Sequence, residues 1–395
     1  MAAHELFGVD ALPYGIFSVA GQAPRVGVRF GAAVVDLVAM ADATGFELSG
    51  AFAQPTLNRF LALGRPSWTA TREWVRQNLV GGAAEAQTIP LRDVELHLPI
   101  AVADYVDFYS SEHHAANVGH VFRPDDEPLL PNWKHLPVGY HGRSGTVVVS
   151  GTDIPRPCGQ YRTPGAANPD FGPSRRLDIE AEVGFVVGLG SALGTPVPAA
   201  AVADYVFGVC LINDWSARDI QAWEYQPLGP FLGKSFATSM SAWVLPLDAL
   251  EAARVPPPQR DHPLLDYLAD DPAAPWGLDL ALEVRLNDTV LSRPPFAGMY
   301  YTVAQQLAHL TVNGASLRTG DLFASGTVSG PEPSQRGSLL ELTWNGAEPL
   351  QLDDGATRTF LQDGDTVTIS ATARSSQGGR LGLGEVTGTI LPARC

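Results

Sequence analysis

Three acidic residues alternate with apolar ones in the segment 177–187, Leu-Asp-Ile-Glu-Ala-Glu-Val-Gly-Phe-Val-Val. A period of two predicts a β-strand that presents Asp178, Glu180 and Glu182 on one face. Neighbours on one strand face lie about 6.5–7 Å apart, so these carboxylates repel one another unless water screens them or a cation bridges them. The segment alone leaves two interpretations equally open: an exposed edge strand with a solvated acidic face, or a metal site.

A metal site would need ligands from other segments. A hard cation such as Ca²⁺ takes about six to eight oxygen ligands. Asp214, at the end of the next predicted strand, and Asp107, in an irregular segment, could complete the set. No cysteine and no clearly placed histidine joins them, so the composition favours Mg²⁺ or Ca²⁺ over Zn²⁺.

The segment 213–235 carries the densest group of polar side chains. An apolar run over 205–212 predicts a buried strand that stops at Asp214. Ser216 is then predicted to be the N-cap of a short helix, with Asp219 in a variant of the capping box. Polar residues that directly follow a buried strand favour a functional site at this strand end.

The predicted helix presents Arg218, Gln221 and Tyr225 on one face, at spacing i, i+3 and i+7. Proline residues forbid its continuation, and a second turn brings Lys234 to the same region. A solvated helix face is the alternative interpretation. The position after a buried strand favours a site in which donors from this helix meet the carboxylates.

The segment 101–149 combines polar, aromatic and glycine residues without a sustained period. Such a segment is typical of a surface loop or a site lining. It holds five histidines between residues 113 and 141. A single histidine is more often structural than catalytic, and most of these five must be structural as well.

The remaining pattern predicts a mostly β protein with some α-helix. Residues 1–98 are predicted to form a small separate domain that serves packing or assembly, with strands over 16–19, 25–30 and 33–37 and helices over 57–63 and 67–79. The larger part, 99–395, is predicted to contain a hairpin over 280–292, a helix over 302–310 and strands over 320–330, 339–344 and 366–370. The strand over 339–344 carries one acid, Glu341, among apolar neighbours, and such a carboxylate needs a partner.

Composition narrows the class of partner. The formal net charge is −16 and the isoelectric point about 4.9, which argue against nucleic acid and anionic membranes as partners. An anionic substrate would need a local basic pocket. The three cysteines show neither metal-site spacing nor a disulfide framework, which suits a reducing compartment. The sequence has no signal peptide pattern and no apolar run of roughly 20 residues, so we expect a cytoplasmic protein.

Taken together, six segments resemble the fumarylacetoacetase (fumarylacetoacetate hydrolase) family. They follow one another in the family's order between residues 105 and 345, and residues 1–98 fit the family's N-terminal domain more loosely. The segments are 107–119, 131–143, 177–182, 213–235, 326–333 and 338–344.

The resemblance implies an SH3-like N-terminal β-barrel domain and a mixed β-sandwich-roll catalytic domain, in a homodimer. It implies hydrolysis of 4-fumarylacetoacetate, a small anionic diketo acid, to fumarate and acetoacetate at the end of tyrosine and phenylalanine breakdown. The loops 155–176 and 250–276 match the family weakly.

The resemblance also implies roles for individual residues. His114 is the general base and Glu341 its orienting carboxylate. The metal ligands are Asp107, Glu180, Glu182 and Asp214, with a second ion placed by Asp214, the backbone of Lys234 and Thr238. The substrate contacts are Tyr109, Arg123, Tyr140, Gln221, Tyr225 and Thr327. Apart from the resemblance, attack on a carbonyl builds an oxyanion, and Arg218, Gln221 and Lys234 are donors placed to receive it.

Two further classes of function compete with this hydrolase. An acylpyruvate hydrolase, or a decarboxylase or isomerase of related diketo acids, would keep the fold and change the reaction. A non-catalytic metal-binding or scaffolding protein would lack the base, an oxyanion donor or an acidic ligand. None of these is missing, and the pairing of His114 with Glu341 favours hydrolysis.

Overall fold

The computed structural model describes residues 3–82 and 84–395. Its N-terminal part contains the strands β1 (Tyr14–Ser18), β2 (Arg25–Phe30), β3 (Ala33–Asp36), β4 (Thr88–Pro90) and β5 (Glu95–His97). The helices of this part are α1 (Ala3–Leu6), α2 (Leu37–Thr44), α3 (Ser49–Phe52), α4 (Asn58–Leu61) and α5 (Arg65–Val80).

The C-terminal part is richer in strands. These are β6 (Tyr105–Phe108), β7 (Gly139–His141), β8 (Val147–Val149), β9 (Ile154–Pro155), β10 (Cys158–Tyr161), β11 (Asp170–Pro173), β12 (Leu177–Asp178), β13 (Ala181–Val187), β14 (Val206–Asp214), β15 (Ser216–Ala217), β16 (Thr238–Met240), β17 (Trp243–Pro246), β18 (Arg254–Val255), β19 (Gly277–Leu278), β20 (Leu280–Leu286), β21 (Thr289–Ser292), β22 (Leu322–Ala324), β23 (Leu350–Gln351), β24 (Thr357–Arg358), β25 (Thr366–Arg374) and β26 (Arg380–Leu391). The helices are α6 (Glu112–Phe122), α7 (Val202–Tyr205), α8 (Arg218–Glu224), α9 (Leu232–Ser235), α10 (Val303–Thr311) and α11 (Leu339–Leu342).

One large mixed sheet runs through both parts, in the order β4-β3-β2-β1-β17-β14-β13-β22-β6-β7, with β5, β8 and β16 alongside. Within the described ranges, β1–β5 belong to this open sheet and do not close into a barrel. The two parts join where Tyr14 of β1 pairs with Val244 of β17. A second sheet has the order β21-β20-β25-β26-β9. The fold is therefore sheet-dominant, with some helices.

The main core lies between the two sheets. Its buried apolar side chains come from β13 and β14 in the large sheet and from β20, β25 and β26 in the second sheet. All nine residues of β14 are buried, as expected for a strand flanked on both sides. Site residues at the ends of these strands are consequently attached to buried elements of the core.

Several predicted elements are confirmed. The strand β2 has the predicted bounds, and β20 and β21 form the predicted hairpin, in which Leu286 pairs with Thr289. Asn287 adopts a positive φ of 52° in its turn, a conformation that asparagine tolerates better than most residues. The predicted helix over 302–310 is α10, whose N-cap Thr302 forms a capping box with Gln305.

Other predictions were wrong, and three of them concern the site. The segment 177–187 is not one strand, because β12 pairs with β15 whereas β13 pairs with β14 and β22. It is not an exposed edge either, since Glu182 and its neighbours in β13 are buried. The predicted strand over 339–344 is instead the helical turn α11, which begins after the N-cap Ser338.

The predicted cap of α8 was also wrong. That helix begins after Ala217 without a side-chain cap, because the Ser216 hydroxyl donates to the backbone oxygen of Asp214. Asp219 accepts instead from the Ser174 hydroxyl and the Arg175 amide.

The cysteine prediction was wrong as well, because Cys158 and Cys395 form a disulfide with their Cα atoms 6.0 Å apart. Across residues 3–82 and 84–395, none of the helices combines the length and apolar character that crossing a bilayer requires.

Candidate active site

Four buried carboxylates meet at the ends of neighbouring strands of the large sheet. One oxygen each of Asp107, Glu180, Glu182 and Asp214 lies within 4.8 Å of the others. The sheet order β14-β13-β22-β6 explains this meeting, because Glu182 pairs opposite Ile212 and Asp107 pairs opposite Ala324. We call these four residues the acid cluster.

The acid cluster lacks enough donors for its own oxygens. Both carboxylate oxygens of Glu182 and one of Asp107 have no hydrogen-bond partner among the described residues. Burial, followed by the negative charges of Asp107 and Glu180, raises the pKa of Glu182. Burial and Asp214 likewise raise the pKa of Asp107. Unpaired buried carboxylate oxygens are the donor set that a hard divalent cation prefers, so these residues fit a metal ion.

Lys234, in α9, supplies positive charge to two members of the cluster. Its ammonium donates to Glu180 and to Oδ2 of Asp214, the second at 2.8 Å. Burial opposes the charge, but Asp214 and Glu180 outweigh it and raise the pKa of Lys234. Asp214 also accepts from the hydroxyls of Thr238 at 2.8 Å and Tyr140 at 3.3 Å. A cavity of about 160 Å³ opens beside these groups.

His114 lies between the acid cluster and Glu341. The helix α6 begins after Ser111, whose hydroxyl accepts from the His114 amide at 3.2 Å, and this cap fixes the first turn that carries the imidazole. The imidazole Nδ1 is 2.7 Å from Oε2 of Glu341, while Nε2 is 3.9 Å from Oε1 of Glu180. The Tyr109 ring packs edge-on against the imidazole at 5.3 Å. The geometry thus directs one ring nitrogen to Glu341 and the other to the acid cluster.

Glu341 is fully buried and richly hydrogen-bonded. Besides the imidazole, its oxygens accept from Asn117 at 2.9 Å, Ser329 at 2.9 Å and Ser338 at 2.8 Å. Burial opposes ionisation, but His114 and these donors outweigh it and lower the pKa of Glu341. An ionised carboxylate at this position holds the hydrogen of the imidazole on Nδ1 and leaves Nε2 free to accept a proton.

Arg218, at the start of α8, is held by two carboxylates. Its Nε donates to Asp178 and its Nη2 to Glu180, both at 2.8 Å, and its Nη1 donates to Oε1 of Gln221 at 3.2 Å. Burial opposes the charge, but Asp178 and Glu180 outweigh it and raise the pKa of Arg218. The guanidinium is therefore a fixed positive charge beside the acid cluster.

The predicted substrate contacts are less closely grouped. Tyr109 lies beside the imidazole, and Thr327 is buried with a hydroxyl that has no partner in the described part of the chain. Arg123 follows α6, where its Nη2 donates to the backbone oxygen of Pro128 at 3.0 Å. Tyr225 is 42% exposed, and its hydroxyl accepts from Gln226. The structure brings Tyr109 to the site, whereas Tyr225 lies exposed at the end of α8.

Four residues of this network had no assigned role in the sequence interpretation: Asn117, Asp178, Ser329 and Ser338. One of them carried a readable signal. Ser338 and Glu341 have the S-x-x-E spacing of a capping box, and Ser338 is indeed the N-cap of α11. Asn117 and Ser329 carried no such signal, because only the three-dimensional fold brings them close to Glu341.

Two family descriptions match the chain. "Fumarylacetoacetase N-terminal" matches residues 10–99 and "Fumarylacetoacetate (FAA) hydrolase C-terminal" matches residues 104–391. Fumarylacetoacetase from Arabidopsis thaliana is 46% identical over 408 residues, covering 98% of this chain and 96% of that protein. Fumarylacetoacetase from Homo sapiens is also 46% identical, over 407 residues, with the same coverage.

Solved structures share the fold at lower sequence identity. Fumarylacetoacetate hydrolase from psychrophilic Exiguobacterium antarcticum is 17% identical, with a TM-score of 0.56, and covers 97% of this chain and 100% of that chain. Maleylpyruvate hydrolase from Sphingobium sp. SYK-6 is 16% identical, with a TM-score of 0.53 and the same coverage. At such identities the likeness establishes the fold alone.

Proposed function

The chain belongs to the fumarylacetoacetase family, and we propose that it hydrolyses the carbon–carbon bond of 4-fumarylacetoacetate to give fumarate and acetoacetate. It is a hydrolase that acts on carbon–carbon bonds. The observation that carries the chemistry is the buried pair of His114 and Glu341, whose free imidazole nitrogen faces the acid cluster. The residues that we propose to bind the substrate and the metal are part of the same proposal.

His114 activates the attacking water in this proposal. Its Nε2 takes a proton from water as the water oxygen attacks a carbonyl carbon, a contribution of typically 10²–10⁴-fold. Glu341 keeps the hydrogen on Nδ1 and stabilises the cation that forms. Its three further donors keep it ionised and fix its direction. His113 is the neighbouring alternative base, but the pairing with Glu341 favours His114.

Attack on the carbonyl builds a negative oxygen that needs donors. Arg218 is a fixed guanidinium next to the acid cluster, and Gln221 lies within 3.2 Å of it. An ammonium has three N–H donors, two of which go from Lys234 to Glu180 and Asp214, so a third can serve the oxyanion. Donors held in place before the reaction are usually the largest single contribution to such a step.

We propose Mg²⁺ or Ca²⁺ as the metal, held by the acid cluster, with a second ion placed by Asp214, Thr238 and the backbone of Lys234. Bound there, a divalent cation would act as a Lewis acid toward the oxygens of the diketone and its enolate product. Collapse of the tetrahedral oxyanion restores the carbonyl and breaks the carbon–carbon bond. The carbon leaving group then takes a proton from the imidazolium of His114, which returns the base to its starting form.

Arg123 and Tyr109 are proposed to bind the distal carboxylate of the substrate. The chain carries a net charge of −16, so a local cation is needed to hold an anionic substrate. The buried Nε of Arg123 has no partner within residues 3–82 and 84–395, which leaves a donor for that carboxylate. Tyr140, Tyr225 and Thr327 are proposed as further substrate contacts.

Five further features complete the proposal. We propose domain boundaries at 1–98 and 99–395, an SH3-like N-terminal domain and a mixed β-sandwich-roll catalytic domain. We also propose a homodimer and a cytoplasmic location.

The decisive assay follows the loss of ultraviolet absorbance of the diketone, with and without added Mg²⁺ or Ca²⁺. Fumarylacetoacetate should be cleaved to fumarate and acetoacetate, and shorter acylpyruvates should be cleaved more slowly. Faster cleavage of the acylpyruvates would reassign the substrate to that class. No cleavage of either class with metal present would refute the hydrolase.

A further inference from the structure

Asp178 is fully buried and accepts four hydrogen bonds. Its Oδ1 accepts from the backbone amides of Ile179 and Leu339, both at 2.7 Å. Its Oδ2 accepts from the Leu340 amide at 3.1 Å and from Nε of Arg218 at 2.8 Å. The sequence pattern predicted Asp178 on the same strand face as the proposed metal-binding acids, but in the structure its oxygens accept hydrogen bonds from N–H groups.

Three of the four donors belong to two separate pieces of the proposed catalytic machinery. Arg218 begins α8 and provides the oxyanion donor. Leu339 and Leu340 open α11, the four-residue turn that carries Glu341. A helix this short has little stability of its own, so contacts at its first turn decide where it lies. The Asp178 side chain accepts hydrogen bonds from both pieces.

We propose that Asp178 is a positioning residue that holds Arg218 and the first turn of α11 in fixed relation to each other. The oxyanion donor and the pair of Glu341 with His114 then act on the same carbonyl. The inference rests on the proposed function, and it adds a structural connection between the oxyanion donor Arg218 and the pair of His114 and Glu341.

Asparagine at position 178 cannot accept all four of the hydrogen bonds that the carboxylate accepts. Each carboxylate oxygen accepts two N–H groups, whereas an amide keeps one oxygen and presents N–H donors in place of the other. Two of the four donors would therefore face a donor. We expect Asp178→Asn to shift Arg218, α11 or both by a fraction of an ångström, which is enough to impair catalysis.

The chain offers a matched control in Asp36, on β3. This buried carboxylate accepts from Nε of Arg25 at 2.7 Å and from the amides of Val38 and Ala39 at 3.0 and 3.2 Å, in the first turn of α2. Asp36→Asn therefore breaks the same kind of arginine–carboxylate–helix link in the N-terminal part, outside the catalytic machinery.

The first experiment compares kcat and KM of both variants on fumarylacetoacetate, per mole of folded protein. Removal of one oxyanion donor typically lowers kcat by about 10²–10³-fold, and we expect about a 10²-fold loss for Asp178→Asn with KM little changed. Asp36→Asn should keep the wild-type kcat although it lowers the melting temperature. Equal kcat values for Asp178→Asn and wild type would overturn the proposal.

A double-mutant cycle separates positioning from a general loss of stability. Asp178→Asn is combined with Arg218→Met and, separately, with Glu341→Gln. If Asp178 acts through these residues, the loss it causes shrinks in both backgrounds, because coupled sites are not additive. The same factor of loss in every background would show that Asp178 only supports the fold.

Hydrogen exchange gives a readout that needs no substrate. In Asp178→Asn, peptides that cover 216–224 and 336–345 should exchange faster than in wild type, whereas Asp36→Asn should affect only the region of α2. A wild-type protein that does not cleave fumarylacetoacetate would refute the proposed function and leave this measurement to decide on Asp178. Uniformly faster exchange, or failure of both Asp178→Asn and Asp178→Ser to fold, would show a purely structural role.

Discussion

Glu182→Gln should raise the stability of the metal-free protein and at the same time remove its response to divalent cations. Glu182 is fully buried, and neither of its carboxylate oxygens has a partner among the residues that the structure describes. Burial and the neighbouring acids Asp107 and Glu180 raise its pKa. An amide of nearly the same shape carries no charge and no proton to lose, so it escapes this electrostatic cost.

The size of the effect follows from proton linkage. A carboxyl group whose folded pKa is raised stays protonated in the folded state while it ionises in the unfolded state. Stability is therefore lost as pH rises above the unfolded pKa of about 4.3, by about 1.4 kcal/mol for each pH unit over which the group stays protonated. The limit is about 3.7 kcal/mol at pH 7 and about 1 kcal/mol at pH 5.

These free energies convert to melting temperatures through the unfolding entropy. For 395 residues that entropy is about 0.8 kcal/mol/K. The metal-free Glu182→Gln protein should then melt up to about 4.5 °C above wild type at pH 7 and only about 1 °C above it at pH 5. A cation at a concentration 100 times its dissociation constant stabilises the folded protein by about 2.7 kcal/mol, which raises the melting temperature by about 3 °C. Only the wild-type protein should show this increase.

The assay is thermal unfolding at pH 5 and pH 7, each with chelator and with added Mg²⁺ or Ca²⁺. Glu341→Gln is the control, because it makes the same chemical change in a fully buried carboxylate that accepts from four side chains. That variant should be less stable than wild type in all conditions. The reasoning fails if metal-free Glu182→Gln melts below wild type at pH 7, or if the cation raises both melting temperatures equally.

Three further predictions concern catalysis. His114→Ala should lower kcat by about 10²–10⁴-fold with metal-induced stabilisation intact, whereas His113→Ala should not; equal losses in kcat would show that the base is misassigned. Arg123→Met should lower kcat/KM by about 10- to 150-fold only on substrates with the distal carboxylate, because it removes a charge-assisted hydrogen bond of about 1.5–3 kcal/mol. Arg218→Met should instead lower kcat/KM for both substrate classes. If Arg123→Met lowers kcat/KM by the same factor for the two classes, Arg123 belongs to the scaffold. Asn117→Ala removes one donor to Glu341 and should lower kcat by about tenfold without changing KM; an unchanged kcat in steady-state assays would contradict this.

The acid cluster could be anticipated from sequence because its members sit on strands with clear patterns. Alternation in 177–187 places Glu180 and Glu182 on one face, and the apolar run before Asp214 predicts a buried strand end. Both signals are local, and the structure brings Glu180, Glu182, Asp107 and Asp214 together. What the alternation could not show is that the segment changes partners between β12 and β13, since strand pairing is a property of the whole sheet.

The helical turn α11 was missed for a different reason. Its sequence, Leu-Leu-Glu-Leu, suits a short buried strand as well as a helical turn. The S-x-x-E spacing from Ser338 to Glu341 indicates a helix start. The apolar run that follows shows neither the strand nor the helix period, so it did not decide between the two. The disulfide between Cys158 and Cys395 spans 237 residues, and no local pattern reports a contact over that separation.

The three acids of the segment 177–187 illustrate why residue type and burial do not determine what a carboxylate does. Asp178, Glu180 and Glu182 are all buried. Asp178 accepts from four N–H groups, Glu180 accepts from the cations Arg218 and Lys234, and Glu182 has no partner in the described ranges. A fully satisfied carboxylate fixes its surroundings, whereas an unsatisfied one stores a cost that a bound cation can relieve. The same spacing of acidic residues therefore yields a proposed positioning group at one end and a proposed cation ligand at the other. Thermal unfolding of Glu182→Gln and hydrogen exchange of Asp178→Asn test that distinction directly.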